Sequence, residues 1–395
     1  MAIKNVTIKP IILLWARQSR NIKIEEVVSH FETVGRKKYK ISDALIKKLE
    51  DSKDDVDIQF TLLKELAELY KRPISAFFLS DPLDKNFIPK SFRTILSKTG
   101  FEFSRDTYLV FDRVRNSQEF IIEAKDALGI KLKFPFKKYA LNDDIYDLSK
   151  LFREKFGLKG FPRETNIKTD KDFFNYLREK IESFGVLVFR KSFPIEDGRA
   201  FCFVDKEPYI ITLNSQDGDL DFYGSKIFSL IHEFAHILLR NNSVENNTFF
   251  HQKNEQFCNA FAANFLVPNV IFNEQIKNFP NSPDNEEINK FVVRLANKFF
   301  VSRHVILRKL LDSNIISNSL YKDIVNKWEE KYKALSKKKF AKNQPPEILA
   351  LNSNGRLFSE LIINAESANL LTKNDAANLL GIKDVYFESV RDALI

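Results

Sequence analysis

Phe228-Ser229-Leu230-Ile231-His232-Glu233-Phe234-Ala235-His236-Ile237-Leu238-Leu239 decides how this chain is read. Its apolar residues recur at helical spacing, which predicts a helix over 221–241. Two histidines four residues apart then share one helix face, about one turn apart along the axis. Both imidazoles can reach a single metal ion. Zinc suits them, because it accepts neutral nitrogen ligands and imposes no rigid geometry. Glu233 lies between them, placed to take a proton from water beside the metal. Three ionisable groups on a helix otherwise fit for burial need such a reason.

HExxH patterns also arise by chance, so a third ligand has to be found. A catalytic zinc takes three protein ligands and keeps one position open. Glu255, on the next predicted helix (254–266), is the candidate. Asn259, one turn further on, is a candidate hydrogen-bond partner for a ligand imidazole. Cys258 reads as a small buried residue rather than a fourth ligand. His251 reads as solvated surface before it reads as an oxyanion donor. His30 and His304 have no partner pattern. Asp217, Asp219 and Asp221 read as helix-capping groups, since the sixth-position glycine and terminal glutamate of a calcium loop are missing.

Around this centre the period of the sequence changes. A helix is predicted over 172–184, a strand over 186–189, and a hairpin from 200–204 and 209–213. Residues 286–316 read as helix, tight turn, helix, with Ser302 as N-cap. A Lys-rich amphipathic helix follows to about 340. Short helices fill 11–80, and a long helix is expected over 105–129. The last 50 residues hold two or three short helices.

Composition bounds the rest. A chain of 395 residues suggests two or three domains. Two cysteines exclude a disulfide scaffold and a thiolate zinc finger, and fit a reducing compartment. Abundant Phe (38) with scarce Gly (11) excludes collagen-like and linker-like chains. No apolar run approaches the ~20 residues of a transmembrane helix. The short run at 11–15 is no signal sequence, so a cytoplasmic protein is expected. The net charge of +9, spread over the whole chain, is weak evidence for nucleic acid.

Three stretches together resemble the ImmA/IrrE-type metallopeptidases. They are the strand Tyr209-Ile210-Ile211-Thr212-Leu213-Asn214, the helix quoted above, and Glu255-Gln256-Phe257-Cys258-Asn259-Ala260-Phe261-Ala262 with its continuation to Pro268. The flanks extend the likeness to the long form, which carries an N-terminal XRE-like helix-turn-helix. Residues 65–79 are similar to the end of that module, 88–93 to its connector, and 301–316 to a helix-turn-helix after the peptidase. The expected recognition-helix region departs from the pattern, with Asp51, Asp54, Asp55 and Asp57 beside its lysines. Carboxylates repel phosphate, which weighs against DNA binding there and leaves a degenerate fold used for protein contact as the alternative.

The resemblance implies an α+β fold. A small zincin-like, gluzincin-type core of short β-sheet plus active-site helix would be flanked by helical helix-turn-helix-like modules. The expected division is an XRE-like module over 1–83, a connector and long helix over 84–145, the peptidase core over 146–284, a helix-turn-helix and basic helix over 285–343, and a small helical module over 344–395. The resemblance further implies one zinc ion per chain on His232, His236 and Glu255, with Glu233 as catalytic base. The substrate would be a protein, a DNA-binding repressor, in stress response or mobile-element control. It would lie extended along an edge strand at Tyr209, Ile211 and Leu213. Tyr223 and His251 are the side chains considered for the oxyanion. The rival readings are a DNA-binding regulator acting through 286–342, with zinc as a sensor, and an antitoxin-like interaction protein.

Overall fold

The computed structural model describes residues 5–33, 41–82, 103–158, 167–217, 223–240, 248–280, 284–335 and 344–394. The expected connector at 88–93, Asp219, Asp221 and the basic stretch beyond 335 lie outside the described residues. The chain is mostly helical with small sheets, an α+β architecture. It divides into two compact units, one of residues 1–88 and 95–115, the other of 89–94 and 116–395.

The first unit holds α1 (Pro10–Gln18), α2 (Ile24–Thr33), α3 (Asp43–Glu50) and α4 (Phe60–Tyr70). A two-stranded antiparallel ribbon, β1 (Asn5–Ile8) with β2 (Val56–Gln59), closes it. Residues 34–40, where a helix-turn-helix would turn between α2 and α3, lie outside the described residues. Leu13, Leu63, Leu66 and Phe77 form its core. Within that core Arg17 makes a bidentate pair with Glu50, at 2.8 and 2.6 Å. The fork geometry satisfies both oxygens of a carboxylate that would otherwise be costly to bury.

The second unit is built on a three-stranded sheet of β3 (Leu187–Lys191), β4 (Ala200–Phe203) and β5 (Ile210–Asn214), in the order β3-β5-β4. β5 pairs parallel with β3 and antiparallel with β4, so it is the central strand. This corrects the expectation that Tyr209, Ile211 and Leu213 offer a substrate edge: β5 has strand partners on both sides. Every residue of β4 and β5 is buried, as a short sheet covered on both faces requires.

Ala200, Cys202, Ile211 and Leu213 pack with α8 (Gly224–Leu239) in one apolar core. Part of the abundant Phe packs as an aromatic cluster against α8. Phe234 of α8 meets Phe152 of α6 (Ile145–Lys155) and Phe156, both at 5.4 Å between centroids. In chain order the long helix α5 (Arg105–Ala124) follows α4, and α7 (Asp170–Ser183) precedes β3 behind a Thr169 capping box. Downstream come α9 (Thr248–Leu266), α10 (Asn269–Ile276), α11 (Asn285–Phe299), α12 (Arg303–Asp312) and α13 (Asn318–Leu335). Ser302 caps α12 as expected, accepting from Val305 N–H. Their buried residues, Val292, Leu307 and Trp328 among them, belong to the same core as α8. The chain ends in α14 (Pro346–Asn354), α15 (Arg356–Ser367), α16 (Lys373–Leu380) and α17 (Phe387–Asp392). No described helix is long and apolar enough to cross a membrane.

Candidate metal centre

α8 carries its apolar residues inward and its two histidines on the opposite side, and it ends one turn after the second histidine. Arg240 terminates it in the left-handed region (φ 41°), its N–H donating to His236 O at 3.0 Å. The Arg240 guanidinium lies over the Phe134 and Tyr209 rings, which helps hold a conformation rare for a residue with a side chain. α9 packs against α8 and brings Glu255 back to the histidines.

The three side chains converge. His232 Nε2 and His236 Nε2 are 3.1 Å apart, and Glu255 lies 3.3 Å from the first and 3.2 Å from the second. The imidazoles are 14% and 13% exposed and the carboxylate 36%, so the donors are partly open to solvent. His232, His236 and Glu255 form a group that could hold a metal ion. Tetrahedral zinc, with Zn–N near 2.0–2.1 Å, needs donors roughly 3.3–3.4 Å apart. The observed spacings are within a few tenths of an ångström of that, and two imidazoles with a carboxylate are a zinc-type donor set.

The three side chains are electrostatically coupled. Burial acts to raise the Glu255 pKa, but hydrogen bonds and charge from His232 and His236 outweigh it and hold the carboxyl well below its usual range. Burial alone would lower the His236 imidazole. Cys258 beside it, with Glu255 and Glu233, reverses the direction and raises it. Glu233 is buried on the β4 side of α8, next to Cys202. Burial, then the charge of Glu233, pushes the Cys202 thiol up, so it is a neutral neighbour at physiological pH.

Residues 181–311 match the family model Peptidase_M78, the IrrE N-terminal-like domain. The IrrE-like segment begins within α7 and ends within α12, so it contains the whole sheet, the two histidines and Glu255. It is similar to a metallopeptidase family, over about a third of the chain. No curated protein matches the chain.

Other residues singled out from the sequence fall elsewhere. Asn259 is exposed and hydrogen-bonds to neither imidazole, while His232 Nδ1 is buried without a partner among the described residues. The group facing His236 is instead Cys258, one residue earlier and on the buried side of α9. Tyr223 stands at the far end of α8, nine residues and about 13–14 Å along the axis from His232. Its ring is held by Phe174 at 5.2 Å and Arg190 at 5.4 Å, so it does not serve an oxyanion at the metal site. The side chain of His251 lies outside the described residues. Asp217 caps no helix; it is buried and paired with Arg199 at 2.5 Å. Cys202 was not a sequence candidate, and only the strand pairing of β4 brings it to Glu233.

Proposed function

We propose that this protein is a cytoplasmic zinc endopeptidase that cleaves a protein regulator, a DNA-binding repressor, with His232, His236 and Glu255 as metal ligands and Glu233 as general base. The observation that carries it is the convergence of three zinc-type donors within 4.8 Å of one another beside a buried glutamate. When bound, zinc supplies Lewis acidity, polarising a peptide carbonyl and acidifying nearby water. Glu233 accepts the proton of the attacking water and later delivers it to the leaving amine. Its burial between α8 and β4 keeps bulk water from competing for that proton. The substrate strand adds to β4, the sheet edge on the Glu233 side. In the register of β4 and β5, Arg199 O accepts from Asn214 N–H, so the backbone of Ala200 and Cys202 faces away from β5. A peptide laid there passes the metal centre extended, as strand addition requires.

A nucleic-acid reading of 286–342 finds less support. On α12 Arg303 stacks on Trp328 and Lys309 is buried, which leaves Arg308, beside Asp312 at 2.9 Å, as its exposed arginine. The test is co-expression with a helix-turn-helix regulator encoded beside it, comparing the natural chain with Glu233→Gln. Cleavage is expected to disappear in the variant while zinc stays bound. Equal loss of the regulator in both would remove Glu233 from the mechanism.

A further inference from the structure

The first unit holds an open groove of about 520 Å³, a volume within the range of small-molecule sites. Its lining comes from Ile22, from α2, from the last turn of α4 and from the start of α5. Ile22 and Leu69 are 3% and 8% exposed and give it an apolar patch. Glu25 and Glu26, in the first turn of α2, are exposed along it. Arg105, the first residue of α5, supplies a permanent positive charge.

Arg105 stands apart from other arginines of this unit. Arg17 is paired with Glu50, and Arg20 and Arg72 share Asp112. Among the described residues the Arg105 guanidinium makes no hydrogen bond or ion pair, and its Nε is shut off from solvent. Burial pushes its pKa down; the charges of Asp106 and Glu26 oppose this and that of Arg20 adds to it. Glu25 and Glu26 also form no ion pair among the described residues, and Glu26 accepts the Lys23 N–H at 3.3 Å. A cation partly cut off from water costs free energy until a counter-charge reaches it. The groove therefore holds charges of both signs that the chain itself does not pair.

We propose that this groove binds a small apolar zwitterion, a free amino acid or a dipeptide. A simple anion would be drawn to Arg105 but repelled by Glu25 and Glu26, and a simple cation would meet the reverse. A zwitterion satisfies both. Its carboxylate takes the free guanidinium in a charge-assisted pair, and its ammonium goes to the two glutamates. Its apolar body covers Ile22 and Leu69 and is removed from water there. The groove shares no residue with the metal centre, so the inference stands whether or not the chain hydrolyses peptides.

The test is calorimetric titration of the full chain with L-leucine and L-leucyl-L-leucine, and with three controls: L-leucinamide, N-acetyl-L-leucine and inorganic phosphate. One of the two zwitterions is expected to bind with one-to-one stoichiometry, and the tighter of them tells amino acid from dipeptide. Leucinamide lacks the carboxylate and N-acetyl-leucine the ammonium, so each should bind about tenfold or more weakly than that zwitterion. Arg105→Gln should cost the zwitterion a similar factor, and Glu25→Gln/Glu26→Gln several-fold. A thermal melt of the ligand-free variants gives a second readout. Arg105→Gln removes a charge that the chain does not pair, so its midpoint should hold or rise. The proposal is overturned if neither zwitterion binds, if the capped compounds or phosphate bind as tightly, if Arg105→Gln binds as the natural chain does, or if Arg105→Gln lowers the melting midpoint.

Discussion

Metal binding at the proposed site has a measurable consequence that does not depend on finding a substrate. The donors are 3.1–3.3 Å apart, close to the spacing tetrahedral zinc needs, so binding requires little rearrangement of the folded chain. The unfolded chain holds no such cluster, because Glu255 reaches the histidines only through the packing of α9 on α8. A ligand that binds the folded state alone stabilises it by about 2.7 kcal/mol at one hundred times its dissociation constant. Domains of this size shift by roughly 2–4 °C per kcal/mol, so the expected rise in Tm is about 5–10 °C. The assay is scanning calorimetry of metal-stripped protein with and without zinc, following the transition of the unit that contains the site. His236→Ala and Glu255→Ala should abolish the shift, because each removes one of three donors. Glu233→Gln should retain it, because Glu233 is not a donor. A shift of equal size in His236→Ala, or its loss in Glu233→Gln alone, would refute the assignment of ligands.

Three further outcomes are expected. Gly355→Ala should cost at least about 3 kcal/mol in urea unfolding: the residue sits at φ 82°, and its Cβ would lie 2.0 Å from Glu182 Oε1 and 2.9 Å from Val188 O, displacing the carboxylate that accepts the Arg356 and Leu357 N–H groups. Glu50→Ala should cost about 3–5 kcal/mol in the first unit, since it leaves the Arg17 guanidinium buried without its carboxylate. Lys309 gives a pH test: burial pushes its pKa down to about 8, and Asp312 only partly opposes this. Between that value and the unfolded value near 10.4 the native chain binds fewer protons than the unfolded one, so stability rises with pH by at most about 3 kcal/mol. That increment should be missing in Lys309→Met when denaturant midpoints at pH 7.5 and 10 are compared, and an identical pH slope in the two proteins would dismiss the buried ammonium.

What was legible before the structure is what local spacing encodes. The helix bearing His232 and His236, the helix with Glu255, the hairpin of β4 and β5, and the turn from α11 to α12 capped by Ser302 each follow from apolar periodicity and capping chemistry within a few residues. His232 and His236 had to share a face, because four residues is about one helical turn.

The rest depends on contacts between distant parts of the chain. Asn259 and Cys258 are neighbours in sequence, yet only the packing of α9 decides that the thiol and not the amide faces His236. Cys202 reaches Glu233 only because β4 pairs on one side of β5, and β5 becomes the central strand only because β3, at Leu187–Lys191, pairs parallel to its other side. Parallel pairing is joined by a crossover whose length carries no local signature, so an apolar run such as 209–214 cannot announce whether it is an edge or a centre. Nor could Glu182 declare that it would receive the first N–H groups of α15. By itself the sequence determined the helices, the donor pair and the candidate third donor. The tertiary structure decided the donors' convergence, the order of the strands in the sheet and the partners of buried charges such as Arg17 and Glu182, because those depend on distances between residues that the chain brings together only when folded.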